Sequence, residues 1–382
     1  MPIVQITLGV MSIVTRENVM KALEGVRDPE LGGNVVELGM ISDVVIDDAT
    51  VDIGLALTIA ECPLRSQIEG DTRRRVESIP GVDRVNIRTT AMTKRQRAEL
   101  MSVARRRARE NAEPTQVAST TRVIAIASGK GGVGKSSMSV NLAAGLVAEG
   151  FRVGLLDADI WGFSVPRMIG ASGKLEADAK SKLIEPVEAN GVKVVSTGLI
   201  IESEETALMW RGLMLSKALE QFLTQVAWGD LDYLILDMPP GTGDVQMALT
   251  RMLPQAEMIV VTTPQHAAQR VAIRVADMAR RSHMPVVGVI ENMSGEVFGE
   301  GGGTQLADEL GVPLLASIPL DQAVVEGGDM GHPVVLNTSS GPAARALLQA
   351  VEKVMAVVPP AELETCTGRI AKLIADLEDG AA

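Results

Sequence analysis

The chain has 382 residues, enough for two or three domains and a sizeable buried core. Apolar residues make up 46 % and charged residues 22 %, which excludes a disordered or collagen-like protein. Four Phe, three Trp and one Tyr are too few for a base-stacking platform, and a net charge of −12 argues against a protein that coats phosphate backbones.

The two cysteines, Cys62 and Cys366, stand 304 positions apart, so neither a disulfide framework nor an intrachain CxxC site can be built, which fits a reducing cytoplasm. His266, His283 and His332 lack ligand spacing. No apolar run reaches the ~18 to 20 residues of a membrane span. The opening MPIVQITLGV lacks the basic flank and cleavage site of a signal peptide, and Met11 is a second candidate start.

Residues 12–92 read as a small α+β module in the order helix, strand, strand, helix, strand. Val19 to Val26 has helical spacing and ends at Asp28-Pro29-Glu30. Ile41 to Ile46 and Val51 to Ile59 are β-rich on either side of a polar turn. Glu61-Cys62-Pro63 then opens a helix, with the proline in the first turn, and Arg84 to Arg88 forms the last strand. Residues 93–121 follow as a basic helical linker, since Thr93 to Glu113 holds seven Lys/Arg against three Glu. A contact with nucleic acid or an anionic membrane is the functional alternative for this run, but an exposed Arg-rich helix needs no partner.

From residue 122 to 360 short apolar strands alternate with helices. Val123 to Ala127, Val153 to Leu156, Val192 to Val195, Tyr233 to Leu236, Met258 to Thr262, Val286 to Ile290 and Leu314 to Ile318 are continuous Val/Ile/Leu-rich runs. Such runs predict an α/β domain whose mostly parallel sheet is covered by helices on both faces. Residues 361–382 form a tail that can make a short amphipathic helix, with Ile370, Leu373, Ile374 and Leu377 on one side.

The strongest motif is Gly129-Lys130-Gly131-Gly132-Val133-Gly134-Lys135-Ser136, followed by Ser137. It matches GxxxxGK[ST] and stands between a predicted strand and a predicted helix, as a phosphate-binding loop must. The glycines let backbone N–H groups wrap phosphate, Lys135 reaches the β- and γ-phosphates of ATP, and Ser136 offers a hydroxyl to Mg²⁺. Asp157 and Asp159 after one strand, and Asp237 after another, place carboxylates at the edge where parallel sheets bind ligands. Asp237 fits the Walker B role beside Mg²⁺. Lys130 is surplus to its own loop; in a face-to-face homodimer it can cross to the partner's nucleotide, as an arginine finger does.

This loop with its extra lysine resembles the deviant Walker A group that includes MinD, ParA, the nitrogenase iron protein and the Mrp/ApbC carriers. Leu156-Asp157-Ala158-Asp159-Ile160-Trp161-Gly162, Met209-Trp210-Arg211-Gly212, Asp237-Met238-Pro239-Pro240-Gly241-Thr242-Gly243-Asp244 and Glu291-Asn292-Met293-Ser294 resemble the Mrp/ApbC iron-sulfur cluster carriers in particular. The front module is similar to the small domain of iron-sulfur assembly factors. The resemblance implies an ATPase that delivers clusters to apoproteins, with Asp159 orienting the attacking water, Pro239 to Asp244 as switch II, and Asn292 reading the adenine. One departure stands out: the CxxC that the family commonly carries after the ENM string is missing, because Ser294 runs almost directly into Glu296-Val297-Phe298-Gly299. Cys62, at a helix start, is then the better candidate cluster ligand and Cys366 the poorer one. The competing expectation is a MinD/ParA-like ATP-driven positioning switch without a cluster, although the tail lacks a basic amphipathic helix.

Overall fold

The computed structural model describes residues 14–28, 33–58, 64–110, 114–160, 162–200, 212–241, 244–337 and 341–361. The chain forms two compact units, Met1–Asn111 and Ala112–Ala382.

In the first unit, α1 (Arg16–Leu23) starts after Thr15, whose Oγ1 accepts the Asn18 N–H at 3.2 Å. β1 (Ile41–Asp47) and β2 (Thr50–Leu57) form an antiparallel hairpin. After α2 (Arg65–Glu77), β3 (Arg84–Ala91) adds in parallel to the other edge of β2. Central β2 buries Ile53 and Leu55 against Val19, Leu23 and Ile68 from the helices. The expected helix start at 61–63, and Cys62 with it, lies outside the described residues, as does Pro29-Glu30.

The last element of this unit, α3 (Lys94–Glu110), departs from the expected solvated linker. Leu100 and Ala104, one helical turn apart, are only 1 % and 5 % exposed and join the unit's core, with Met101 and Val103 half-buried beside them. The density of arginines masked a narrow apolar stripe, which is why the run reads as linker from composition alone.

The second unit is built on one sheet. In chain order its elements are β4 (Arg122–Ser128), α4 (Lys135–Ala148), β5 (Val153–Asp157), α5 (Val165–Ile169), the short antiparallel pair β6 (Glu176–Ala177) and β7 (Ile184–Glu185), β8 (Val187–Ala189), β9 (Val192–Val195) and α6 (Gly212–Thr224). There follow β10 (Tyr233–Asp237), α7 (Asp244–Met252), β11 (Glu257–Thr262), α8 (His266–Arg281), β12 (Val286–Ser294), α9 (Gly302–Leu310), β13 (Leu314–Pro319), α10 (Gln322–Met330) and α11 (Pro342–Val357). The eight strands lie in the order β13-β12-β11-β4-β10-β5-β9-β8, all parallel except the edge strand β8. That three-residue strand was not foreseen, being too short for a periodic signal.

Successive side chains of the strands serve two cores. Ile124, Ile126, Leu155 and Ile235 pack on one face, and Val123, Ala125, Leu156 and Leu236 on the other. A strand buried on both faces must be apolar throughout, which is why these runs do not alternate. The chain leaves β4 toward β5 on one side and later returns to place β11, β12 and β13 on the other. The reversal opens a crevice at the carboxyl ends of β4, β10 and β5.

Because α3 is core rather than tether, Leu100→Ala is expected to destabilise the first unit by about 2 to 4 kcal/mol. The exposed Arg97→Ala is expected to cost less than about 0.5 kcal/mol. Hydrogen exchange of the α3 amides in the full chain reads both; equal protection in the two variants would restore the linker.

Candidate functional site

The loop between β4 and α4 holds its shape through glycine. Gly132 and Gly134 have φ of 78° and 83°, the left-handed region that side-chain-bearing residues avoid. At Gly134 a Cβ would also stand 2.2 Å from the Asn292 amide nitrogen. This turn delivers α4 with its N-terminal N–H groups facing the crevice, where a phosphate chain is favoured. A cavity of about 220 Å³ lies over it, lined by Ser128, Lys130 to Gly132, Gly134 to Ser137, Asp159, Gly162 and Pro240. Gly129 precedes the lining and Val133 is buried beneath it.

At the floor sits Asp237, the last residue of β10, with no solvent exposure. Its Oδ1 accepts from Lys135 Nζ at 2.8 Å and from Ser139 Oγ at 2.8 Å, and its Oδ2 accepts from Ser136 Oγ at 2.5 Å. Asp159 approaches the same ammonium at 3.8 Å. Burial holds the Asp159 carboxyl above the ordinary carboxylate range, opposed by the charge of Lys135. Asp157 is the third carboxylate, paired in register with Asp237 on the neighbouring strand. Burial first, then the charge of Asp237, pushes its pKa up to about 8. Its Oδ2 accepts from Ser196 Oγ and its Oδ1 from the Asp159 N–H, each at 3.1 Å.

The expected loop residues, Asp159 and Asp237 therefore meet at one place. Lys130 is exposed on the outer side of the loop, and its carbonyl accepts from Ser128 Oγ at 3.0 Å. Asn292 closes a second cavity of about 220 Å³, shared with Gly134, Ser137, Met168, Met293 and Pro319 to Asp321. One of its amide hydrogens is already given to the Val133 carbonyl at 2.9 Å, leaving the other and the carbonyl oxygen for a ligand. Two residues escaped the sequence reading. Ser139 stands one turn beyond Lys135, a spacing that could have found it, whereas Ser196 is linked to Asp157 only through the fold. Trp161, Met209 to Arg211 and Thr242-Gly243 lie outside the described residues.

Where the family resemblance implies a CxxC, Gly295 and Gly299 bond each other in both directions, N–H to carbonyl, at 2.9 and 2.8 Å. The hairpin runs straight into α9, whose first amides are capped by buried Glu291: its Oε2 accepts from Gly303 N–H at 2.6 Å and its Oε1 from Ser317 Oγ at 2.7 Å. Among the described residues no cluster of three or more His, Cys, Asp or Glu has the arrangement of a metal site. No described helix is long and apolar enough to cross a membrane.

A phosphate loop at the switch point of a parallel sheet, with a buried carboxylate on the adjacent strand, defines a P-loop NTPase. More narrowly, the chain belongs to the ParA-type family described as NUBPL iron-transfer P-loop NTPase, whose model matches residues 119–355. The model of an iron-sulfur cluster assembly protein matches residues 16–88. An iron-sulfur cluster carrier protein of Mycobacterium leprae is 45 % identical over 348 residues, covering 87 % of this chain and 90 % of its own. One from a Synechocystis strain is 41 % identical over 365 residues, covering 92 % and 100 %. Among solved structures, a nucleotide-binding protein from Archaeoglobus fulgidus in complex with ADP is 30 % identical with a TM-score of 0.51, over 63 % of this chain and 95 % of that one. The cell division ATPase MinD of Pyrococcus furiosus, 23 % identical with a TM-score of 0.50 over 62 % and 98 %, is a likeness of fold alone. The carrier reading therefore stands over the positioning switch.

Gly134→Ala, which strains the loop and displaces Asn292, is expected to weaken ADP binding about tenfold or more, measured by calorimetric titration. Unchanged affinity would show that the left-handed turn is dispensable. Asp157 makes nucleotide-free protein pH-dependent: its carboxyl ionises near 3.8 when unfolded and at about 8 when folded, so stability falls as pH rises between them. Asp157→Asn should flatten that slope in denaturant titrations, and an unchanged slope would assign it to other groups.

Proposed function

We infer that this chain binds ATP, hydrolyses it as a homodimer in the cytoplasm, and hands iron-sulfur clusters to apoproteins. The observation that carries the reading is the union in one chain of an iron-sulfur assembly unit at 16–88 and an iron-transfer NTPase at 119–355. The loop amides of Gly131 to Gly134 and the start of α4 receive the phosphates, Lys135 neutralises them, and Asn292 meets the adenine from the adjoining cavity. Asp159 orients the water that attacks the γ-phosphorus; the new P–O bond forms as the bond to the β-phosphate oxygen breaks and ADP leaves. Lys130 reaches the partner subunit's nucleotide. Switch II, Pro239 to Asp244, follows Asp237 after a single residue, Met238, so its position can report the γ-phosphate.

Ser136 and Asp237 fit Mg²⁺, because both present hard oxygen donors beside the loop, 2.5 Å apart. When bound, that ion screens charge on the β- and γ-phosphates. The cluster is cargo, and it needs thiolates that the described residues do not contain; Cys62 is the ligand we assign, with Cys366 the lesser candidate. Turnover is slow without a partner, since a switch depends on a long-lived ATP state.

Lys135→Ala is expected to abolish ATP binding, whereas Lys130→Ala and Asp159→Ala bind ATP but turn over at least about 100-fold more slowly, judged by phosphate release. Normal hydrolysis in either removes that residue from the scheme. For the cargo, iron and acid-labile sulfide per chain after anaerobic reconstitution should be stoichiometric in the wild type and lost in Cys62→Ser. No cluster in the wild type would make the protein an accessory ATPase.

A further inference from the structure

We propose that Ser196 and Phe163 form a positioning pair for hydrolysis, fastening the connection between β5 and α5 at Asp159 and at Phe163 to the single turn that follows β9. The inference rests on the ATPase reading above and adds residues that touch neither the nucleotide loop nor its cavity.

Ser196 immediately follows β9, in extended backbone with φ −152°, and is fully buried. Its Oγ accepts the Gly198 N–H at 3.1 Å and donates to Asp157 Oδ2 at 3.1 Å. The other oxygen of Asp157 holds the Asp159 N–H at 3.1 Å. A continuous line of hydrogen bonds thus runs from the turn Thr197–Leu199 to the backbone of the residue that orients water. The second fastening is steric. The Phe163 ring lies so close to Gly198 that a Cβ there would stand 2.5 Å from Phe163 Cδ2. Asp159 opens the loop and Phe163 stands four residues on, so the same three-residue turn is gripped from two directions by two kinds of contact.

Removing the Ser196 hydroxyl leaves Asp157 Oδ2 without that hydrogen bond, and the carboxyl group can then rotate about χ2 and release the Asp159 amide. A displacement of ~1 Å at a water-orienting carboxylate lowers turnover by up to about 100-fold. Binding should survive, because the phosphate cradle is made by the loop and α4. Neither Ser196 nor Phe163 lines that cavity.

The test uses the full chain and measures ATP hydrolysis alongside affinity for a fluorescent, slowly hydrolysed ATP analogue. Ser196→Ala and Phe163→Ala are each expected to lower kcat about tenfold or more while changing Kd less than about threefold. Because both act on one turn, the double variant should be no slower than about twice the slower single variant. Ser196→Thr, which keeps the hydroxyl, should restore kcat to within about threefold of wild type. Unchanged kcat in Ser196→Ala, parallel loss of affinity and turnover, or losses that multiply in the double variant would each overturn the proposal. If Ser196→Ala does not fold, the Ser196→Thr and Phe163→Ala arms decide it by the same criteria. Failure of the underlying reading looks different: the wild type itself would not hydrolyse ATP.

Discussion

A desolvated carboxylate at the centre of the sheet organises the second unit. Asp237 has no exposure, and its charge is tolerated because Lys135, Ser136 and Ser139, all from the first turns of α4, point donors at it. A buried ion pair gives little net stability, but losing one partner leaves an unpaired charge in a dry core. The pair therefore demands that α4 begin where it does, that the loop before it turn through left-handed glycines, and that β10 lie between β4 and β5. The same ammonium that answers Asp237 is the one a phosphate chain attracts. A phosphate chain at the loop would compete with Asp237 for Lys135, a physical route by which ligand could be felt at the sheet.

The charge count at this floor explains the behaviour of Asp157. Asp157, Asp159 and Asp237 gather around Lys135, and burial and the charge of Asp237 weigh most heavily on Asp157. Its position is fixed by register, since Asp157 and Asp237 end adjacent parallel strands side by side. Burial and the neighbouring charge of Asp237 favour the protonated form of Asp157, which lessens the repulsion where several carboxyl groups meet one nearby ammonium.

Most of this was legible in the amino-acid sequence, for physical reasons. Strands buried on both faces cannot alternate, so β4, β5, β10 and β11 announce themselves as apolar runs, and a phosphate loop tolerates few residue choices. What escaped depends on neighbours distant in the chain. Ser196 meets Asp157 across 39 residues, and Glu291 caps α9 through a loop whose length alone does not reveal its bonds. α3 escaped for another reason: a narrow stripe of buried Leu100 and Ala104 with half-buried Met101 and Val103 docks a helix rich in arginine.

The same geometry constrains how an iron-sulfur cargo can be served. Closing β12 onto α9 through the Gly295–Gly299 hairpin leaves that connection without a soft ligand, while Glu291 spends its carboxylate on the helix start and on Ser317. Iron-sulfur clusters require thiolates, and the chain holds cysteine only at positions 62 and 366. The phosphate cradle itself contains none. Any influence of ATP on a cluster must then travel through a change of shape or through a second copy of the chain, rather than through shared ligands. Lys130 and Asp159 line the cavity over the phosphate loop, and Asp159 is joined through Asp157 and Ser196 to the turn beyond β9.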